Sequence, residues 1–124
     1  MEKHPTEILH DWIQEFEHKF PQSRLRMVNS SEGDSAIQVT IYLHLIEMEH
    51  YNYRLLQFEQ PIDVDNVYGF ELFVFRDDVS LGKIENGQDF KRALDRILAE
   101  ERTKRIIDQV TTISSVSGST FQVR

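Results

Sequence analysis

Three Glu-x-x-His spacings are the first residues in this chain whose types and distances suit chemistry: Glu7/His10, Glu15/His18 and Glu47/His50. On facing helices that spacing builds carboxylate-bridged metal sites. The first two fall on the polar face of an amphipathic helix and read as solvated side chains. The third falls in a strand or its turn, where positions i and i+3 point to opposite faces. His44 and His50, six residues apart on an extended strand, would stand ~20 Å apart, too far to share a metal. Asp63-Val64-Asp65-Asn66 alternates acids as calcium loops do, but lacks the glycine and distal glutamate of the EF-hand pattern. Asp77-Asp78 follows a strand, a common place for catalytic carboxylates, with no second catalytic partner that the sequence sets beside it. There is no Gly-rich phosphate loop and no Gly-x-Ser-x-Gly turn. The expectation is no catalytic residue, no metal and no cofactor; an acid–base pair would have to be assembled in space from the five histidines and many acids.

The tyrosines suit a different task. Tyr42, Tyr51, Tyr53 and Tyr68 all fall in or beside the predicted strands. Tyrosine recurs in contact sites because it offers a large area at low entropic cost. Tyr42 lies on the side its strand does not bury, among Gln38, Thr40 and His44. Tyr51 and Tyr53 sit at the adjoining hairpin end between Glu47, Glu49 and Glu59. The expected partner-binding residues are Tyr42, His44, Glu47, Glu49, Tyr51 and Tyr53: aromatic anchors ringed by acids, a pattern for a basic protein partner.

Charge supports that direction. The formal net charge is -7. Between Met27 and Phe90 the basic residues are Arg54, Arg76 and Lys83. The acidic ones are Glu32, Asp34, Glu47, Glu49, Glu59, Asp63, Asp65, Glu71, Asp77, Asp78, Glu85 and Asp89. The main basic cluster, Lys91, Arg92, Arg96, Arg102, Lys104 and Arg105, comes later. Phosphates need a basic footprint, so nucleic acid is not the expected ligand of the sheet. The chain has no cysteine, hence no disulfide and no thiolate chemistry, as in reducing compartments. No apolar run approaches the ~20 residues that cross a bilayer, and the N-terminus leads into a charged helix. A cytoplasmic protein with no membrane partner is expected.

Periodicity supplies the elements. Ile8, Leu9, Trp12, Ile13, Phe16 and Phe20 recur at three- and four-residue spacing and predict a helix from Pro5 to Phe20, stopped by Pro21. Arg24 to Val28 is a short strand and Asn29 to Ser35 a loop. Ile37, Val39, Ile41, Leu43 and Leu45 alternate with polar residues and predict a strand buried on one face. The alternation slips at Leu45-Ile46 and again at Leu55-Leu56. A hairpin turning at 49–52 would set Met48 against Tyr53, Ile46 against Leu55, Leu45 against Leu56 and Leu43 against Phe58, with both slips on the same rungs. In the next strand Phe70, Leu72 and Val74 line one side, and Phe73 and Phe75 the other, which suits a central or interface strand. Asn86 caps a helix carrying Phe90, Ala93, Leu94, Ile97 and Leu98. The later stripe Ile106, Ile107, Val110 and Ile113 points the other way. The chain therefore either breaks near Glu100-Glu101 or runs on as one helix, and the break is favoured. The tail, 114–124, reads as an edge strand or a frayed end.

These elements make one α+β domain over residues 1–124: an N-terminal helix, a mostly antiparallel sheet of four to five strands, and two C-terminal helices. The first helix and the Phe90–Leu98 helix should cover the face lined by Ile37, Val39, Ile41 and Leu43. The sequence carries no family's motif. In size, acidity and lack of cysteine it is similar to small bacterial immunity proteins, antitoxins and secretion chaperones, a likeness of composition resting on no particular residue. The expected function is an acidic protein-binding module that neutralises or chaperones a partner. The alternatives are a small-ligand domain or enzyme with a pocket between sheet and helices, and a self-assembling subunit that dimerises through Phe73 and Phe75.

Overall fold

The computed structural model describes residues 3–46, 48–63 and 65–123, with residues 32, 48–51 and 114–123 described by backbone alone. The chain runs α1 (Pro5–Lys19), β1 (Ser23–Glu32), β2 (Ala36–Leu45), β3 (Met48–Pro61), β4 (Phe70–Val74), β5 (Val79–Ile84), α2 (Gly87–Ala99) and α3 (Glu101–Val123). The five strands form one antiparallel meander in sequence order, so this is an α+β fold with one sheet.

α1 starts where Pro5 meets a histidine cap. His4 is extended, and its Nδ1 accepts the Thr6 N–H at 3.1 Å, doing the work usually left to serine or asparagine. The apolar stripe then buries Ile8, Leu9, Trp12 and Phe16, with Trp12 and Phe16 fully enclosed and their rings 5.4 Å apart. Before Pro21 the helix ends at Phe20, whose carbonyl accepts the Ser23 hydroxyl. α2 begins at Asn86, whose Oδ1 accepts the Asp89 N–H at 2.8 Å, and it buries Phe90, Ala93, Leu94 and Ile97. Phe90 meets the stacked pair Phe58–Phe70 edge-on, with centroids at 5.4 and 5.3 Å. These helices close one face of the sheet over Leu25, Val39, Ile41, Leu43, Leu56, Phe58, Leu72 and Val74. Glu100 is extended and separates α2 from α3, so the break stands and the later stripe packs on its own terms through Thr103, Ile107 and Val110.

Several expectations shift. β1 runs to Glu32 and pairs with β2 without interruption, so most of the expected loop is strand and the turn shrinks to residues 33–35, where Gly33 takes a positive φ of 69°. The β2–β3 turn lies between Leu45 and Met48, not at 49–52. Leu43 faces Tyr53, Ile41 faces Leu56 and Val39 faces Phe58. The expected pairing was four residues out along most of the ladder. A slip by an even number leaves every side chain on its own face, so alternation alone cannot choose between the two registers. The slip at Leu55-Leu56 is a bulge: Leu55 is the extra residue between the Ile41/Leu56 and Tyr42/Arg54 pairs, and its carbonyl accepts the Phe75 N–H at 2.8 Å. The fifth strand is β5, and the backbone of the tail is helical to Val123 rather than an edge strand.

Phe75 also departs from its expected place. It follows β4 with a φ of 64°, sparsely populated for a bulky residue, and this turns its ring into the core, where it is only 4% exposed. The Arg102 guanidinium lies 4.3 Å over that ring while it grips Asp77 through two hydrogen bonds, at 2.8 and 3.2 Å. Asp77 and Asp78 thus form the β4–β5 turn, with Asp77 tying it to α3.

Candidate protein-contact face

Directly opposed residues of paired strands share a face, so the strand registers assemble the second face of the sheet residue by residue. Val28 opposes Thr40, Thr40 opposes Gln57, Gln57 opposes Phe73, and Phe73 opposes Ser80: one residue from each strand, in a row across the whole sheet. Thr40 is buried within this row and donates its hydroxyl to Gln57 Oε1 at 3.3 Å. Phe73 and Gln57 are half-buried, and Val28 is 39% exposed. A second row runs Arg26, Tyr42, Arg54. A third sets Arg24 against His44. α1 and α2 lie on the other side, so this face is free of them.

Its electrostatics run opposite to the expected pattern. Tyr42, half-buried, has an arginine as its cross-strand neighbour on each side, not a ring of acids. Arg54 donates to Asp78 Oδ1 at 2.9 Å and to the Arg76 carbonyl at 3.1 Å, which neutralises one of them. Arg26 is exposed. The acids of the face gather at its far end: Glu59 beside Gln38, and Glu71 opposite Lys83, with Glu71 accepting the Ser80 hydroxyl at 2.5 Å. Between β3 and β4 at that end opens a cleft of about 460 Å³ whose lining includes Gln57, Glu59, Pro61, Glu71 and Phe73.

Of the expected contact residues, Tyr42 and His44 lie on this face. Tyr53 does not. The Leu55 bulge reverses the facing of residues before it, so Tyr53 opposes Leu43 in the core, 8% exposed, with the Arg76 guanidinium 4.6 Å over its ring. Glu47 and the side chains of Glu49 and Tyr51 lie outside the described residues. Tyr68 is buried at the other end of the core, where its hydroxyl donates to the Lys3 carbonyl. Arg24, Arg26, Val28 and Gln57 were not among the expected contact residues, and Phe73 was expected only as a self-association residue together with Phe75. The signal for the two arginines was present, since Arg24 and Arg26 alternate with Leu25 and Met27 at the period of a strand.

Glu15 and Asp63, from two of the other constellations, make ordinary contacts, and Glu47 and the His50 side chain lie outside the described residues. Glu15 belongs to a network in which Lys91 bonds Glu15 and Asp95, at 2.9 and 3.0 Å. Partial burial pulls the Lys91 ammonium down, but its bonds to both carboxylates outweigh that and leave its pKa raised. This network lies in an open groove of about 1010 Å³ between α1 and the start of α2, whose charges pair with one another: Lys3 bonds Asp11 on the same wall. Asp63 closes its own turn by accepting the Asp65 N–H at 2.9 Å. Among the described residues there is no cluster of three or more metal-ligating side chains, and no helix is long and apolar enough to cross a membrane. Comparison with protein-family models, curated proteins and solved structures finds no match for this chain. What fold and face define is therefore a class: an α+β meander domain with one face covered by α1 and α2 and a second face that these two helices leave free.

Proposed function

We propose that this protein is a small protein-binding module that docks its partner on the open face of the sheet and acts by contact, masking or holding that partner. The observation that carries the reading is the row Val28, Thr40, Gln57 and Phe73, flanked by Tyr42, on the face opposite α1 and α2. It combines the apolar side chains of Val28 and Phe73 on either side of a hydrogen-bonded Thr40–Gln57 pair, a half-buried tyrosine and arginines at one rim, and tyrosine and arginine are enriched in interface hot spots. The rim supports a partner of one chemistry: Arg26 is exposed, and Arg24, which also donates to the Pro21 and Ser23 carbonyls, lies beside it, so carboxylates on the segment over β1 and β2 suit this end and a basic segment does not.

The test is capture of a partner by the immobilised protein, with Tyr42→Ala and Phe73→Ser as matched baits and Asp95→Asn, on the helix side, as control. The reading requires one species that the parent and Asp95→Asn retain in stoichiometric amount and that both open-face variants lose while their circular dichroism stays native. Equal retention by all four baits would remove the open face as the binding surface.

A further inference from the structure

The two edges of the sheet are built differently. β5 is six residues long, Gly82 within it takes a φ of 89°, and its register with β4 shifts between Glu71 and Phe73. Bulges, glycines and short length are three of the devices that blunt an edge against further pairing, charged side chains being another. β1 has none of the first three. Its ten residues, Ser23–Glu32, include no proline or glycine and pair with β2 in unbroken register. Met27 and Val28, on opposite faces of this edge, are 38% and 39% exposed.

The hydrogen bonding of β1 shows which groups look outward. The Leu25 N–H donates to the Glu17 carboxylate at 3.0 Å and not to β2. In an antiparallel strand the N–H and C=O of one residue point the same way and alternate along the chain. Met27, Asn29 and Ser31 therefore turn theirs to the free edge, and Glu17 seals the edge at its Leu25 end.

We propose that β1 pairs with β1 of a second copy of this chain, antiparallel about a two-fold axis at Val28. This goes beyond the docking face and does not depend on what binds there. In that register Met27 opposes Asn29 of the second copy, and each such pair exchanges both of its main-chain bonds. Val28 opposes Val28, covering the exposed apolar residue of each edge. Arg24 stands opposite Glu32 of the second copy, twice over by symmetry. Sliding the strands two residues one way loses that charge match, and four residues that way sets Arg26 against Arg26; sliding two the other way sets Arg26 against Glu32 but puts Val28 against Ser30, so charge and the cover of Val28 together select this register. The result is a continuous ten-stranded sheet. On its open side the row Phe73, Gln57, Thr40, Val28 continues through the axis into the same row of the second copy. The contact face thereby doubles into one surface.

The absence of cysteine supplies a direct test. Val28 and its symmetry mate would form a non-hydrogen-bonded pair with Cα atoms ~4.5 Å apart, within the range a disulfide spans. Ser30 and its mate would be roughly 14 Å apart at ~3.4 Å per residue, too far to bridge. Val28→Cys and Ser30→Cys are oxidised in parallel and run on non-reducing gels, and the parent is followed by sedimentation velocity from micromolar to millimolar concentration. The expected result is a concentration-dependent dimer of the parent, near-complete disulfide dimer for Val28→Cys and only a minor fraction for Ser30→Cys. Arg24→Glu should weaken the dimer roughly tenfold, the scale of two lost rim ion pairs, and adding Glu32→Arg should restore it. A parent that stays monomeric throughout, equal crosslinking of the two cysteine variants, or a dimer in which Val28→Cys fails to crosslink would each overturn the proposal. If Arg24→Glu does not fold, the pair of cysteine variants decides alone.

Discussion

On the helix side of the sheet Ile41, Leu43, Leu56, Phe58 and Val74 are at most 2% exposed, and Trp12, Phe16 and Phe90 are closed over them. On the other side the same strands carry Val28, Thr40, Tyr42, Gln57 and Phe73, with apolar bulk but no cover from α1 or α2. An exposed face with apolar bulk opposite α1 and α2 is what the proposed contact function rests on. A face closed by three large aromatic rings is where stability resides. The comparison assigns separate tasks to two surfaces less than one side chain apart, and substitutions can separate them.

The largest effect belongs to the closed face. Trp12→Ala and Phe16→Ala each remove a fully enclosed ring, and each should lower unfolding free energy by ~3–5 kcal/mol in chemical denaturation. Equal effects from Tyr42→Ala would break the comparison. Smaller, and on the rim of the closed face, is the cap of α2. Asn86→Ala frees the Asp89 N–H and should cost ~1 kcal/mol, a fall of about 4 °C in Tm.

A third test sharpens how α3 is held. The Arg102 hydrogen bond pulls the Asp77 carboxyl below its ordinary value of 3.8, against a smaller opposing effect of burial. A depressed folded-state pKa means that the pair stabilises the fold at pH above that ordinary value and that this contribution is lost as pH falls through the lowered one. Thermal unfolding of the parent and of Asp77→Asn should therefore differ at neutral pH and converge on strong acidification. A gap that persists unchanged in acid would mean that the Asp77–Arg102 pair is not its source.

Sequence periodicity revealed the closed face well. The Ile8-to-Phe20 stripe and the Ile37-to-Leu45 alternation are signals of burial, and burial is what periodicity records. The Asn86 cap and the break at Glu100 were legible because capping is local chemistry. The open face was only half legible. Tyr42 and His44 are on it, but Tyr53 is not, because one inserted residue at Leu55 reverses the strand and no local pattern distinguishes a bulge from a phase slip. β5 was missed because VSLGKI carries a glycine and little alternation. Around Tyr42 the expected acids gave way to arginines, since counting charge along the chain from Met27 onward left out Arg24 and Arg26, which β1 lays directly beside Tyr42 and His44. The tail misled for a related reason: Phe121-Gln122-Val123 has β-prone residues, yet its backbone continues α3.

The smallest change to the fold should have the largest effect on contact. Tyr42→Ala lies on the open face, and its unfolding free energy should stay within about 1 kcal/mol of the parent. The decisive measurement is the affinity of this folded variant for the captured partner by surface plasmon resonance. The account predicts a loss of ~2 kcal/mol, roughly 30-fold in Kd, carried mainly by faster dissociation. A Tyr42→Ala variant that binds as tightly as the parent would contradict it.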